Sequence, residues 1–507
     1  MSKKILALLL ACLMVLPLAA CAGGTDKPAA DTTTAAPDNT DPEETTDDFY
    51  ADRNNAKDSL PDNLDFGDAD IRILSHKINE SGGSNIPEIE FFTDEEGVTT
   101  NVITSAVLRR NAVVEDRLKI KMVILNDGTS YDNIDKVRTS IMSFSDDYDL
   151  YVLPHGTVPN MASEGFLLDL SVVEYLDFEK PWWNSSFIDS TMVDGRIFAT
   201  TGELSISLLA NNFLTFFNKS LWADFHGDED LYQIVRDGNF TLDKFAELCS
   251  TLYRDLNGDG VADVDDQYGN IHPWETASSD AFVPGSNLHF FDYDEDNETY
   301  YFSFGDDHDM DFVEKLRAIW FKNNNSYNSE NNEMDQDYQL MAKLKNDTAL
   351  FTSAKMCNVD LLRDMDSDFG IVPIPKFDEA QEGYHTMPTT GFTVFSILTS
   401  APAPDMIGAF LEAACSENYR YVTPAYFDNA VKYGYTRDEE SAEMLDVCVS
   451  GIYLPLEFAY HFGGANLIAT YCNTEKSLNM LTSIINKHRK EWESGINDTM
   501  DAIRAIV

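Results

Sequence analysis

The sequence is poor in positive charge. Against 87 Asp and Glu stand only 36 Lys and Arg, for a formal net charge of −51. Such a field repels polyanions and favours solubility and cation binding, so nucleic acid is not an expected partner. Cysteine is also scarce. Five of the seven, Cys249, Cys357, Cys415, Cys448 and Cys472, lie beyond the first 21 residues. They show no C-x-x-C or zinc-knuckle spacing, and an odd number cannot all pair within the chain. Cys249 and Cys415 fall among apolar residues of apparent helices, where a buried free thiol is the reading; a Cys448–Cys472 disulfide stays open. There is no G-x-S-x-G, H-E-x-x-H, Walker A or Rossmann glycine pattern, and the nine histidines do not cluster. Acid pairs suited to hydrolysis occur by chance among so many acids and carry no weight. Beyond residue 20 no apolar run approaches the roughly 20 residues of a membrane span.

The N-terminus departs from this pattern. Lys3 and Lys4, an apolar run from Ile5 to Leu18 and small residues up to Cys21 have the layout of an export signal. "LAAC" at Leu18 to Cys21 resembles the lipobox of bacterial lipoproteins, which implies that Cys21 is acylated and anchors the chain outside the cell membrane. An ordinary signal with Cys21 as an incidental thiol is the alternative. Removing residues 1–20 takes away two lysines and no acid, so −51 becomes −53. Residues 21–60 are mostly Thr, Ala, Asp, Pro and Gly and bury too little apolar surface to offset their ordering entropy, so a disordered tether is expected. About 440 residues follow, more than one core accommodates, and two lobes are expected.

That remainder alternates strand and helix patterns. "DIRILS" (70–75), "KIKMVIL" (119–125), "YDLYVLP" (148–154) and "GFTVFSIL" (391–398) read as strands. Residues 101–118 read as a helix with Ile103, Val107, Val114 and Leu118 near one face. A helix is expected around Ile134 to Phe144, another from Thr241, as N-cap, to Arg254, and a proline-opened one over 401–415. Strands alternating with helices predict an α/β class with parallel sheets.

Several segments, in order, resemble family 1 extracellular solute-binding proteins, the receptors of bacterial ABC importers typified by maltose-binding protein. They are "YDLYVLPHGTVPNMASEGFLLDLS", "GRIFATTGELSISLLANNFLTFFNKSLW", "NFTLDKFAELCSTL", "DFGIVPIPKFDE" and "TPAYFDNAVKYGYTRDEESAEML", the last like clostridial members. Phe217 stands where the family's "YNK" has Tyr. The resemblance implies a two-lobed periplasmic-binding-protein-like α/β fold with a hinged interlobe cleft. Lobe one would hold 66–203 and 377–425, lobe two 204–376 and 426–507. It also implies a monomer that captures a solute, oligosaccharide first, and delivers it to permease subunits at the outer face of the membrane. A secreted glycan hydrolase or lyase, and a surface glycan receptor without transport, are the rivals.

Sugar binding uses flat aromatic faces and planar polar groups. Positions that align with the family's cleft are His76 and Lys77 after the first strand, His155 after "YVLP", and Glu203 at the first crossing. Trp274 in "IHPWET", Phe458 and Tyr460 in "LEFAYHF", and the adjacent Trp182 and Trp183 complete the set, with core packing as the alternative for the last four.

One motif stands apart. "DLNGDGVADVDD" has the twelve-residue ligand spacing of an EF-hand loop: Asp255, Asn257, Asp259, the Val261 carbonyl, Asp263 and Asp266, with Gly260 at the sharp turn. A structural Ca2+ is expected there, weakened by Asp rather than Glu at the twelfth position; a metal-free polar turn is the alternative.

Overall fold

The computed structural model describes residues 51–75, 89–93, 101–125, 128, 130–272, 277–328, 337–389, 391–431, 439–472 and 474–506. Two mixed sheets organise them. The first has the order β12-β3-β1-β2, from β1 (Ala69–Leu74), β2 (Ile120–Leu125), β3 (Leu150–Pro154) and β12 (Thr393–Ile397). The pairs β1–β2 and β1–β3 are parallel, while β12 runs antiparallel to β3. The second has the order β11-β4-β10-β6-β5, with β9 on β6, from β4 (Phe213–Asn218), β5 (Tyr253–Arg254), β6 (Gln267–His272), β9 (Ser326–Asn328), β10 (Ala349–Lys355) and β11 (Phe369–Val372). A hairpin, β7 (Phe291–Asp294) with β8 (Thr299–Phe302), stands apart. The sheets are therefore mixed rather than parallel throughout: the chain returns to the first sheet in the reverse direction at β12, and in the second β4 runs antiparallel to β10 and β11, and β5 to β6.

Strand interiors are apolar on both faces, as sheets covered on both sides require. In the first sheet Ile71, Ile73, Leu150, Val152, Phe395 and Ile397 are buried on one face and Leu74, Tyr151 and Val394 on the other; in the second Leu214, Phe216 and Ile371 are buried on one face and Phe217 and Phe351 on the other. Each such side chain contributes about 1.5–3 kcal/mol by leaving water.

The helices that matter below are α1 (Ala51–Asn55), α2 (Val102–Leu118), α3 (Val158–Ser163), α4 (Leu242–Cys249), α5 (Pro404–Glu417), α6 (Thr423–Val431), α7 (Leu467–Tyr471) and α8 (Leu481–Arg504). Helix α2 starts where Asn101 and Thr104 cap one another reciprocally, at 2.8 Å each way, and ends at Lys119 with φ 53°. Helix α8 buries Leu481, Ile485, Trp492, Ile496, Met500 and Ile503, one stripe at helical spacing. The helix packs on α3, which follows β3 of the first sheet, and on β8 of the hairpin.

Two expectations are corrected, and the open cysteine pairing is decided. The helix from Thr241 ends at Cys249 instead of Arg254. Ser250 and Thr251 donate their hydroxyls back to the carbonyls of Glu247 and Leu248, and Tyr253–Arg254 pairs with β6. The tether does not reach residue 60: α1 and the residues after it are docked. Asp58 accepts two bonds from Arg117 at 2.7 Å, Ser59 donates to Asp177, and Leu60 is buried. The five cysteines are free thiols, Cys448 and Cys472 included. Among the described residues no helix is long and apolar enough to cross a membrane.

Candidate functional site

Ligands of α/β proteins bind beyond the carboxyl ends of strands, where loops diverge. The carboxyl end of β3 leads into His155, Gly156 and α3, and there a cavity of about 570 Å³ opens. Its first wall is Gly156, Pro159 and Asn160. The second is the segment from Tyr460 to Tyr471, which offers Tyr460, His461, Phe462, Asn466, Thr470 and Tyr471. The third is one face of α8, with Glu491, Trp492, Gly495 and Thr499 at i, i+1, i+4 and i+8.

Glycines set the close approaches. A Cβ on Gly156 would lie 3.3 Å from the His461 Cβ, so the first two walls meet there. A Cβ on Gly463 would come within 2.9 Å of the Trp492 ring, and one on Gly464, at φ +98°, within 3.2 Å. The indole thus rests on a glycine pair, flanked by His488 (centroids 5.5 Å apart) and Phe302 (5.2 Å).

The second wall is held from both sides. The Tyr460 hydroxyl donates to the Thr191 carbonyl at 3.1 Å beside the first sheet. On the other side Glu457 accepts from the Phe290 N–H at 2.6 Å, and Asp280 accepts from the Ile468 and Ala469 N–H groups at 3.1 and 3.0 Å at the start of α7. Both carboxylates are buried, with Glu457 pushed up to about 7 and Asp280 to about 8, chiefly by desolvation. Partial burial lowers the His461 pKa, which disfavours its charged form, and Glu491 is the acidic residue of the lining. Amides, hydroxyls and aromatic rings around a cavity of this size suit a neutral polyhydroxylated ligand.

Of the residues singled out in the sequence, Tyr460 belongs to the second wall, itself only 2% exposed and with its hydroxyl turned to the Thr191 carbonyl. His76, Lys77 and Trp274 lie outside the described residues. The other five are engaged in packing in this structure, outside the lining of this cavity. His155 is 1% exposed and stacked on Phe392 at 4.3 Å, behind the wall rather than in it; burial and His461 lower its pKa to about 3, against a weaker opposing effect of the Phe392 backbone. Glu203 is buried against Arg53 at 3.0 Å and accepts from the Thr423 hydroxyl. Trp182 and Trp183 are both core, the latter donating to Glu412 at 3.0 Å. Phe458 packs on Phe290. The α8 face was missed; its signal in the sequence is "WESGINDT", where a Gly and a Thr share the helix face that carries Trp492.

The acidic loop caps its own backbone. Asp255 accepts from the N–H groups of Gly258 (2.6 Å) and Gly260 (2.9 Å), Asn257 from Asp259, Asp259 from Val261, and Asp263 from Asp265. Buried Asp266 closes it, accepting from the Leu256 N–H and the Tyr253 hydroxyl. Gly258 and Gly260 take φ +77° and +78°, the left-handed turn such a loop requires. Hard oxygens in this order fit Ca2+ chemically. Their carboxylates do not converge as a ready cluster. Among the described residues that closeness, within 4.8 Å, occurs at Asp306, His308 and Asp309, where Asp306 and Asp309 cap a helix start.

No protein-family model and no curated protein matches the sequence. Solved structures do match. The sugar-binding protein MalE from Xanthomonas citri aligns with a TM-score of 0.56 at 11% identity, over 86% of this chain and 99% of that one. UspC of M. tuberculosis gives 0.53 at 13%, over 85% and 100%. The galacto-N-biose/lacto-N-biose I-binding protein of an ABC transporter from Bifidobacterium longum, in complex with lacto-N-biose, gives 0.52 at 14%, over 87% and 98%. The chain has the two-lobed α/β fold of these MalE-like solute-binding proteins.

Proposed function

We propose that this chain is the extracellular, lipid-anchored solute-binding subunit of an ABC importer, a monomer that captures a neutral oligosaccharide between its lobes and hands it to a permease. The observation that carries this reading is the cavity at the carboxyl end of β3, walled by Asn160, Asn466, Thr470 and aromatic rings, in a fold shared with sugar-binding proteins. The role is binding, not catalysis. Ligand contacts favour the closed arrangement of the lobes, and the closed form is what a permease distinguishes. His76 and Lys77 follow the end of β1, and Trp274 follows the end of β6, so all three remain proposed contacts at carboxyl ends of strands. "LAAC" supports acylation of Cys21 and a place on the outer face of the membrane.

A thermal-shift screen of the mature chain against di- to tetrasaccharides tests this. At a hundredfold excess over Kd a cleft ligand adds about 2.7 kcal/mol. The melting temperature should rise by a few degrees with one oligosaccharide class, lacto-N-biose and related disaccharides being first choices. A rise with a polyamine and with no sugar would overturn the substrate class.

The 255–266 loop belongs to the same proposal as a structural Ca2+ site, with Asp255, Asn257, Asp259, Asp263 and Asp266 as side-chain ligands and Val261 as the carbonyl ligand. Calcium at roughly millimolar concentration, the range of extracellular modules, should raise the melting temperature, and Asp259→Ala should abolish the rise without changing sugar affinity. Equal melting in calcium and in chelator would refute it.

A further inference from the structure

The docked end of the tether reaches the hinge. Arg53 of α1 bonds Glu203 at 3.0 Å and the Tyr419 carbonyl at 3.4 Å, and its guanidinium lies 4.2 Å over the Tyr419 ring. Both partners of the ion pair are nearly buried, with side chains 11% and 8% exposed. Glu203 ends the stretch of the first sheet's lobe from which the chain crosses to β4. Its second carboxylate oxygen accepts from Thr423, the first residue of α6, and its carbonyl accepts from Asn418 at 2.9 Å. Residues 418–422 form a π-helical turn joining α5 to α6, and α6 touches both α2 and the turn Met356–Leu362 that follows β10. Asp446, on the helix Glu439–Ser450 that packs on β11, adds to the field around Arg53. One guanidinium therefore touches one of the chain's crossings directly and reaches a second through Glu203.

The rest of the segment keeps Arg53 in place. Arg117 grips Asp58 with two bonds at 2.7 Å, Arg420 of the π-turn donates to the Ala56 carbonyl at 2.8 Å, and Leu60 is buried. We propose that residues 51–60 are a strap that couples the membrane-tethered N-terminal segment to the hinge, its docking stiffening the Glu203–Thr423 junction and so setting how readily the lobes open. The stiffening of the hinge rests on the fold and its coupling to the membrane on the anchor proposed at Cys21; neither depends on which ligand is bound.

Hydrogen exchange on the mature chain tests it. Arg53→Ala should speed exchange of amides in 203–210 and 418–427 about tenfold, as local opening does, while the β7–β8 hairpin exchanges as before; Arg53→Lys should recover part of the protection. Asp58→Asn frees the strap's far end without touching the hinge, and it should loosen the same amides. It carries the test alone if Arg53→Ala fails to fold. Wild-type hinge exchange in Asp58→Asn would overturn the strap as a coupled unit, and acceleration spread equally to the hairpin would show plain destabilisation instead.

Discussion

Gly495→Trp should leave the protein folded and weaken oligosaccharide binding about a hundredfold, a loss of roughly 2.7 kcal/mol. Gly495 lies in the middle of the α8 face of the cavity, and a Cβ built there meets nothing within 4 Å. A side chain from that position therefore starts into open space on the cavity face, and an indole is expected to take up ligand space. The backbone benefits as well, since glycine inside a helix costs about 0.5–1 kcal/mol relative to alanine. The substitution thus separates binding from stability, which changes at Trp492 or Gly464 do not, because those residues hold one another. Gly495→Ala serves as the control and should bind as wild type with an equal or higher melting temperature. Isothermal titration with the sugar found by the thermal screen measures the effect. Wild-type affinity in Gly495→Trp would place the ligand elsewhere, nearer His76, Lys77 and Trp274.

Much of the fold was legible because short-range signals specify it. The β1, β3 and β12 strands and the α2 and α5 helices fall within about three residues of their periodic patterns, and Thr241 caps α4 as its sequence suggests, accepting from the Lys244 N–H. What failed depends on partners far along the chain. Composition assigns 51–60 to the tether, yet Arg53 finds Glu203 and Asp58 finds Arg117, partners 150 and 59 residues away. Glu203 looked like a hydroxyl acceptor by its place at the crossing, and the same place explains its use: a crossing must be fixed to both neighbours. Trp182 and Trp183 illustrate the limit of counting aromatics, since stacking surface is also core surface. The α8 wall was hidden because an amphipathic helix shows which face is buried, not whether a small residue beside that face borders a cavity.

Stability should fall as pH rises from 5 to 8, and Glu457 and Asp280 should account for much of the fall. Both are held above the ordinary carboxylate value of about 4 in the folded chain, at about 7 and about 8, by desolvation that the backbone N–H bonds only partly offset. Oε2 of Glu457 and Oδ2 of Asp280 have no hydrogen-bond partner, so the negative charge of either carboxylate is only partly stabilised, through its other oxygen. The groups that face them add little: His289 and Asp292 act on Glu457 in opposite directions, and near Asp280 lies the Cys472 thiol, itself pushed up by burial to about 12. A folded pKa above the unfolded one means that the folded state holds the proton more tightly. The contribution is therefore complete below about pH 4, declines as pH climbs through the interval between the two values, and levels off above the folded pKa. Within that interval each group costs about 1.4 kcal/mol per pH unit. With half of that realised after relaxation, the loss between pH 5 and pH 7 is roughly 3 kcal/mol, a large share of an ordinary 5–15 kcal/mol stability. Glu457→Gln with Asp280→Asn keeps the acceptor oxygens for Phe290, Ile468 and Ala469 and removes the titration. Urea unfolding across this pH range should then show a clearly flatter profile, with Glu90 and Glu412, each raised to about 7, supplying what slope is left. An undiminished slope in the double variant would mean that neither carboxylate titrates in this range. Because both residues pin the Tyr460 to Tyr471 wall, sugar binding is expected to weaken as pH rises through 7 to 8, and the same variants should remove that weakening.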